Sequence, residues 1–144
     1  MVDEVAARQA FEQAIETHKP EFETFFLARL LGLEFEYPDG QCVITFEARD
    51  FMFNPQGSLH GGIIASVMDI SMGHLLKRVQ GACTTLEIKV QYVKAIRVGR
   101  LRCVGEFIRQ GRGISYMRST MTDADNDVVA FATATWKHLR PVAA

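Results

Sequence analysis

The sequence predicts an α+β domain: a long central helix against a curved antiparallel sheet of about six strands, with a helical extension at the N-terminus. Three observations predict it. Residues 59–78 are apolar around most of a helical wheel, as in a helix wrapped by the rest of its domain. Six other segments have strand character and are bounded by turn residues. The chain has 144 residues, which suits one well-filled core and is short for two ordinary domains.

Composition narrows the function classes. Hydrophobic residues make up 48% and charged residues 23%, the balance of an ordinary globular protein. Net charge is −1, so nothing in it points to nucleic acid or an anionic membrane. No apolar run reaches the ~18 residues needed to cross a bilayer. The N-terminus, MVDEVAARQAFEQ, lacks the basic and apolar regions of a signal peptide, which predicts a cytoplasmic protein. Cys42, Cys83 and Cys103 are odd in number, far apart and in apolar or strand-like contexts, so they read as buried free thiols.

The elements follow in order. Residues 3–18 read as a helix with Val5, Phe11 and Ile15 on a loose stripe. Residues 21–31 form a second short helix, with Phe22, Phe25, Phe26 and Leu30 at helical spacing and Gly32 closing it. The period then falls to two. LEFEY (33–37), a PDG turn and QCVITFEA (41–48) make a hairpin. A loop at 50–58 leads into the long helix. Four strands follow, at 83–93, 100–109, 114–122 and 127–138, separated by IRVG, QGRG and DADN. Those separators predict hairpin connections between consecutive strands. Within 85–93, Leu86, Ile88, Val90 and Tyr92 are expected on one face and Thr85, Glu87, Lys89 and Gln91 on the other.

The chemistry concentrates in NPQGSLHGGIIASVMDISMG (54–73). Paired glycines open the helix although each costs about 1 kcal/mol in helix propensity. Their bare N–H groups at the positive end of the helix dipole could receive an oxyanion. Tight packing against a strand explains the glycines equally well. Gly62, Ser66, Asp69 and Gly73 form a narrow stripe of small residues carrying one carboxylate. A carboxylate on a buried helix is expensive unless it has partners or a task. It reads as a base or nucleophile facing a cleft, or as an acid held by nearby N–H groups. Asp69 lies eight residues after Gly61, about 12 Å along the axis. If both act on one substrate, one of them must come from a second, antiparallel copy of the helix, as a two-fold dimer supplies.

The pattern Asn-x-x-Gly-x-x-His-Gly-Gly, with Asp eight residues after the first paired glycine, resembles the hotdog-fold acyl-CoA thioesterases. It is most similar to their phenylacetate-degradation, PaaI-like branch, and the resemblance covers roughly residues 32–138. It implies a single hotdog domain over 1–144, with 1–31 as a helical lead-in and 32–138 as the core. It implies a homodimer through strand 83–93, of a kind that often pairs into homotetramers. It further implies an acyl-CoA substrate and no cofactor. The Gly61 N–H would polarise the thioester carbonyl, and Asp69 of the neighbouring subunit would activate water or attack directly. Asn54 would help hold the water or the thioester, and His60 would support the site. Gly62 and Thr85 would meet substrate.

Arg97 and Arg100 flank a turn and could meet the nucleotide phosphates, as could Lys94, Arg102, Arg109 and Arg112, or all could be ordinary solvated charges. Phe51, Met52, Phe53, Met68 and Met72 suit either an acyl pocket or the core. Phe22, Phe25 and Phe26 are expected to pack on the sheet or cap the pocket. No second His or Cys stands at ligand spacing to His60, so no metal site is expected. His74 reads as a satisfied or surface histidine. Ser71 lacks a nucleophile-elbow context. An acyl hydratase or dehydratase, and a non-catalytic acyl-CoA-binding module, are the competing functions.

Overall fold

The long helix forms over Gly61–Gln80 (α3) because its apolar residues surround the axis and its ends are provided for. Lys77 and Arg78 lie in its last turn, where the dipole favours cations. Gly81 then leaves the helix with φ +89, open to glycine at no steric cost. The computed structural model describes residues 1–140. Its other elements are α1 (Glu4–Thr17), α2 (Phe26–Leu30), β1 (Glu34–Glu36), β2 (Gln41–Glu47), β3 (Cys83–Tyr92), β4 (Arg100–Arg109), β5 (Ile114–Thr122) and β6 (Val128–His138). A single 3-10 turn at Asp50–Met52 interrupts the loop before α3.

The six strands form one antiparallel sheet in the order β1-β2-β4-β5-β6-β3. This corrects one expected connection. β3 does not form a hairpin with β4; it pairs with β6 at the far edge of the sheet, and residues 93–99 carry the chain across to β4. The turn residues between β3 and β4 are local and carry no information about which strand each one pairs with. β3 keeps one edge free.

The helix lies close to the sheet because the facing side chains are small. Ala130, Ala132 and Ala134 follow one another on the inner face of β6, and Gly105 sits on the inner face of β4. A Cβ added at Gly105 would come within 2.5 Å of the Ser71 carbonyl oxygen, so helix backbone and strand backbone are in direct contact. A buried polar chain crosses the same interface. Ser71 Oγ donates to the Met68 carbonyl at 2.7 Å and meets Ser119 Oγ at 2.8 Å, and Ser119 Oγ meets Cys103 Sγ at 3.1 Å. Met68, Met72, Leu76, Met117, Met121, Ile44 and Phe46 fill the rest of the core. The three cysteines are free, with Cys42 and Cys103 buried.

Two further expectations change. The second helix is only Phe26–Leu30, because Glu23 adopts φ +69 and Phe25 is extended, which breaks the helix that the aromatic spacing suggested. The Val5, Phe11 and Ile15 stripe of α1 stays largely exposed; Ala14 is the buried residue, and Phe11 instead meets Phe26 edge to face at 5.7 Å. Substituting Gly105 by Ala should force helix and sheet apart. We expect a loss of about 1–3 kcal/mol of unfolding free energy, measured by urea titration, with strand content retained in the circular dichroism spectrum.

Candidate active site

The alternation of β3 breaks at Leu86, and the break builds the site. Thr85 pairs with Trp136 and Glu87 with Thr135, leaving Leu86 as the extra residue of a β-bulge. Cys83 and Thr85 therefore share the inner face with Ile88 and Val90, while Leu86 is 53% exposed. This reverses the expected facing of Thr85 and Leu86. The Thr85 hydroxyl now points at α3 and donates to Asp69 Oδ1 at 2.8 Å.

Asp69 is half-buried on the small-residue stripe of α3. Burial raises its pKa above the ordinary carboxylate range, and the Thr85 hydrogen bond opposes that rise without cancelling it. The carboxylate is thus a stronger base than an exposed aspartate, while the hydroxyl aims one of its oxygens. It lies in a depression of about 370 Å³ whose lining includes Ser66, Gly73, Cys83 and Trp136 and the rings of Phe22 and Phe25. Gly73 is small for a reason visible here: a Cβ would meet the Trp136 ring at 2.6 Å.

The start of α3 faces a different depression, of about 280 Å³, which includes Asn54, Ser58, Gly61, Ile64, Tyr92 and Val93. His60 caps the helix, and its Nδ1 accepts from the Gly62 N–H at 2.8 Å. A Cβ on Gly62 would lie 3.1 Å from that nitrogen, so the second glycine fits a close cap. Gly62, expected to meet substrate, thus has its N–H already engaged. Among the described residues no acceptor meets the Gly61 N–H. No acidic residue lies in the first turn, and the positive end of the dipole is left open.

Asn54 and Arg97 hold the loop that delivers this helix end. Asn54 Oδ1 accepts from the Gln56 and Ser58 amides at 2.9 and 3.3 Å, and its Nδ2 donates to Ser58 Oγ at 3.1 Å. Arg97 Nη1 donates to the Gln56 and Gly57 carbonyls, both at 3.1 Å. Arg100 is engaged elsewhere: it pairs with Glu34 at 2.8 Å and donates to Thr45 at 3.0 Å on the neighbouring strands. The eight candidates therefore fall into three places. Asn54, His60, Gly61, Gly62 and Arg97 gather at the helix start, Asp69 and Thr85 meet two turns further on, and Arg100 stands apart.

Several residues at the site were not among the expectations. The Tyr92 hydroxyl donates to the Gly61 carbonyl at 2.7 Å, and its ring lies 3.1 Å from where a Gly61 Cβ would be. β3 follows the turn at Gly81 and runs back along α3, which brings its end to the start of the helix. His74 is 5% exposed and enclosed by Phe22, Phe25 and Phe35, which corrects the reading of a satisfied or surface histidine. Trp136 belongs to a strand whose partner across the sheet could not be read from sequence. No group of three or more His, Cys, Asp or Glu able to hold a metal occurs among the described residues. No helix there is long and apolar enough to cross a membrane.

Comparison with known proteins places this geometry. The family model described as the thioesterase superfamily matches residues 56–130. The chain is 27% identical over 127 residues to the medium/long-chain acyl-CoA thioesterase YigI of Salmonella typhimurium, covering 75% of this chain and 82% of that protein. A Bacillus halodurans protein solved with CoA superposes with a TM-score of 0.87 at 23% identity, over 97% of this chain and 95% of that one. The Escherichia coli PaaI protein of the phenylacetic acid degradation operon superposes with a TM-score of 0.79 at 16% identity, over 92% of this chain and 98% of that one. The fold is the hotdog fold.

The Thr85 hydroxyl stabilises the ionised form of Asp69, and an activity that needs this carboxylate ionised fades as pH falls through its raised pKa. Thr85→Val removes the stabilising bond and keeps the shape. We expect the acidic limb of the kcat/KM profile to move to higher pH in this variant. An unmoved limb would mean that Asp69 does not govern it.

Proposed function

The chain belongs to the thioesterase superfamily, and on that premise we propose that it hydrolyses acyl-CoA thioesters to a free acid and coenzyme A in a site shared by two copies of the chain. The observation that carries this reading is the division of labour along α3. An open N–H stands at its first residue and a basic carboxylate stands about 12 Å further on, too far for both to meet one carbonyl carbon. The similarity to YigI and the CoA of the Bacillus halodurans structure support an acyl-CoA substrate.

A second copy closes the gap. β3 is ten residues long, lies at the sheet edge and leaves that edge unpaired, and exposed Leu86, Tyr92 and Val93 lie on or just after it. Such an edge invites pairing with another chain. Antiparallel pairing of two β3 edges about a two-fold axis would run the two α3 helices in opposite directions and set Gly61 of one copy near Asp69 of the other. Two such dimers could associate further into a tetramer.

In this site the Gly61 N–H polarises the thioester carbonyl. Asp69 of the second copy takes a proton from water, which attacks the carbonyl carbon. The oxyanion forms against the Gly61 N–H, where a donor is worth most. Collapse breaks the carbon–sulfur bond, and the departing thiolate takes up a proton. Asn54 and Arg97 hold the loop that sets the helix start, His60 caps it, and Thr85 orients the base. Each chain folds as a single hotdog domain, and the reaction runs without a cofactor, in the cytoplasm.

Asp69→Asn keeps the shape and removes the charge. Because burial raises the pKa of Asp69, its ionised form costs folding free energy at neutral pH, so the variant should melt no lower than the parent. Its turnover should fall at least about a hundredfold. A variant that melts lower and keeps its turnover would make Asp69 a structural acid.

The shared site has its own test. Gly61→Pro deletes the N–H at a helix position that proline tolerates, and should lower turnover by on the order of a hundredfold or more. Mixing it with Asp69→Asn should restore activity, since each mixed dimer holds one intact site. No recovery after exchange verified by mass spectrometry would confine the site to one chain.

A further inference from the structure

The depression beside Asp69 adjoins a second one. Phe22, Phe25 and His74 line both, and Pro20 and Glu21 complete the lining of the second, which holds about 350 Å³. Asp69 is the only charged side chain in the first lining, and Leu27 and Ile70 add to its apolar surface. Burial pushes the His74 pKa down to about 4, so the imidazole they share is neutral at pH 7. Glu21, the charged residue of the second lining, is exposed to water. The depression at the start of α3 is more polar, with Asn54, Ser58 and Lys94 in its lining. An acyl-CoA extends from its thioester in two directions, one arm apolar and one carrying phosphates. The apolar arm matches the depression beside Asp69, whose carboxylate would repel phosphate.

The segment before α2 is held so that it presents two rings to this space. Glu23 adopts φ +69, a costly conformation for a residue with a Cβ. Such strain persists only where the surroundings hold it. Here the Tyr37 hydroxyl donates to the Glu23 carboxylate, and the Arg78 guanidinium lies 4.4 Å from the centre of the Tyr37 ring. The Lys19 N–H donates to the Thr24 carbonyl at 2.8 Å and closes the loop. Phe22 and Phe25 then meet His74 with ring centres 4.8 and 5.8 Å away. The two rings differ. Phe25 packs against the core, whereas Phe22 is 46% exposed, with Lys77 Nζ 5.2 Å from its centre. An apolar ligand lying against Phe22 would cover apolar surface that water now touches.

Length follows from the helix. His74 comes five residues after Asp69, roughly 7–8 Å along the axis. An extended chain advances roughly 1.2 Å per bond, so about six bonds carry it from the carboxylate to the rings. We propose that Phe22 sets the length of acyl chain this site accepts: the chain runs past Asp69 into the apolar depression and ends against the Phe22 ring after about six to eight carbons. Phe25 is the fixed part of the same wall. This inference rests on the thioesterase reading given above.

The test measures release of the CoA thiol from straight-chain esters, butanoyl-CoA through hexadecanoyl-CoA. In the parent protein kcat/KM should rise about fourfold per methylene as far as octanoyl-CoA and stop rising beyond it. Phe22→Ala should let the rise continue, so that the ratio of dodecanoyl to octanoyl kcat/KM grows at least about tenfold. Phe22→Leu carries the same prediction, with a smaller gain, should the alanine variant not fold. Phe22→Trp should bring the limit below octanoyl-CoA. A ratio taken within one protein is insensitive to a general loss of folded enzyme. Val98→Ala, at an exposed apolar residue between β3 and β4, should leave it unchanged. A limit at the same length whatever occupies position 22, or a parent profile with no limit, would overturn the proposal. Calorimetric binding of octyl-CoA and dodecyl-CoA thioethers, which cannot be hydrolysed, reads the pocket without turnover. A dodecyl-to-octyl affinity ratio that grows in Phe22→Ala, with no ester hydrolysed, would sink the thioesterase reading and keep the pocket assignment. Hydrolysis with a length profile indifferent to Phe22 would sink the pocket assignment alone. Neither binding nor hydrolysis would sink both.

Discussion

One hydrogen bond, from the Thr85 hydroxyl to Asp69 Oδ1 at 2.8 Å, governs how this molecule holds a carboxylate on an otherwise apolar helix. Water is partly removed from Asp69, which disfavours its charge, and no cation stands among the causes of its pKa shift to compensate. A salt bridge there would have quenched the basicity. A single neutral donor orients the group and leaves it basic. The bulge in β3 puts Thr85 on the inner face, and the small residues beside Asp69 leave room for that one contact.

The contact tolerates little drift, and the packing around α3 removes drift. Gly105 brings strand and helix backbones together, the alanines of β6 let the rest of the helix follow, and the Ser71, Ser119 and Cys103 chain fixes its rotation. Hydrogen bonds buried at such an interface are costly to break, so the helix cannot rotate its stripe away from β3 without loss. The positioning of the acid is thus a property of the core as much as of its immediate neighbours.

Much of this was legible in the residues. The apolar circumference of 61–80, the glycine pair and the isolated Asp69 identify α3 and its unusual face through local pattern alone. The strand limits were equally clear, because period-two alternation and turn chemistry are local. What was not legible is what the chain does over long distances. The pairing of β3 with β6 depends on sheet order, and the approach of Tyr92 to Gly61 depends on how β3 packs along α3. The bulge at Leu86 has no marker such as glycine. The shortness of α2 is hidden in the sequence because Phe22 and Phe25 satisfy helical spacing while a left-handed Glu23 sends the chain elsewhere, setting both rings beside His74. Arg97 and Arg100 look alike in sequence as cations flanking one turn, and only the fold separates the one that holds the helix-start loop from the one that joins neighbouring strands.

The bulge gives β3 something like a reading frame. Before Leu86 the inward positions are Cys83 and Thr85; after it they are Ile88 and Val90, so the phase of the strand changes by one residue. Removing any one residue between Thr85 and Ile88 would restore a single phase, and one side of the strand would have to turn over. Either Thr85 leaves Asp69 or the apolar pair leaves the core. Substitutions at exposed Leu86 change only a side chain, whereas a one-residue deletion trades chemistry against folding. Over this stretch, length is inherited under a tighter rule than identity.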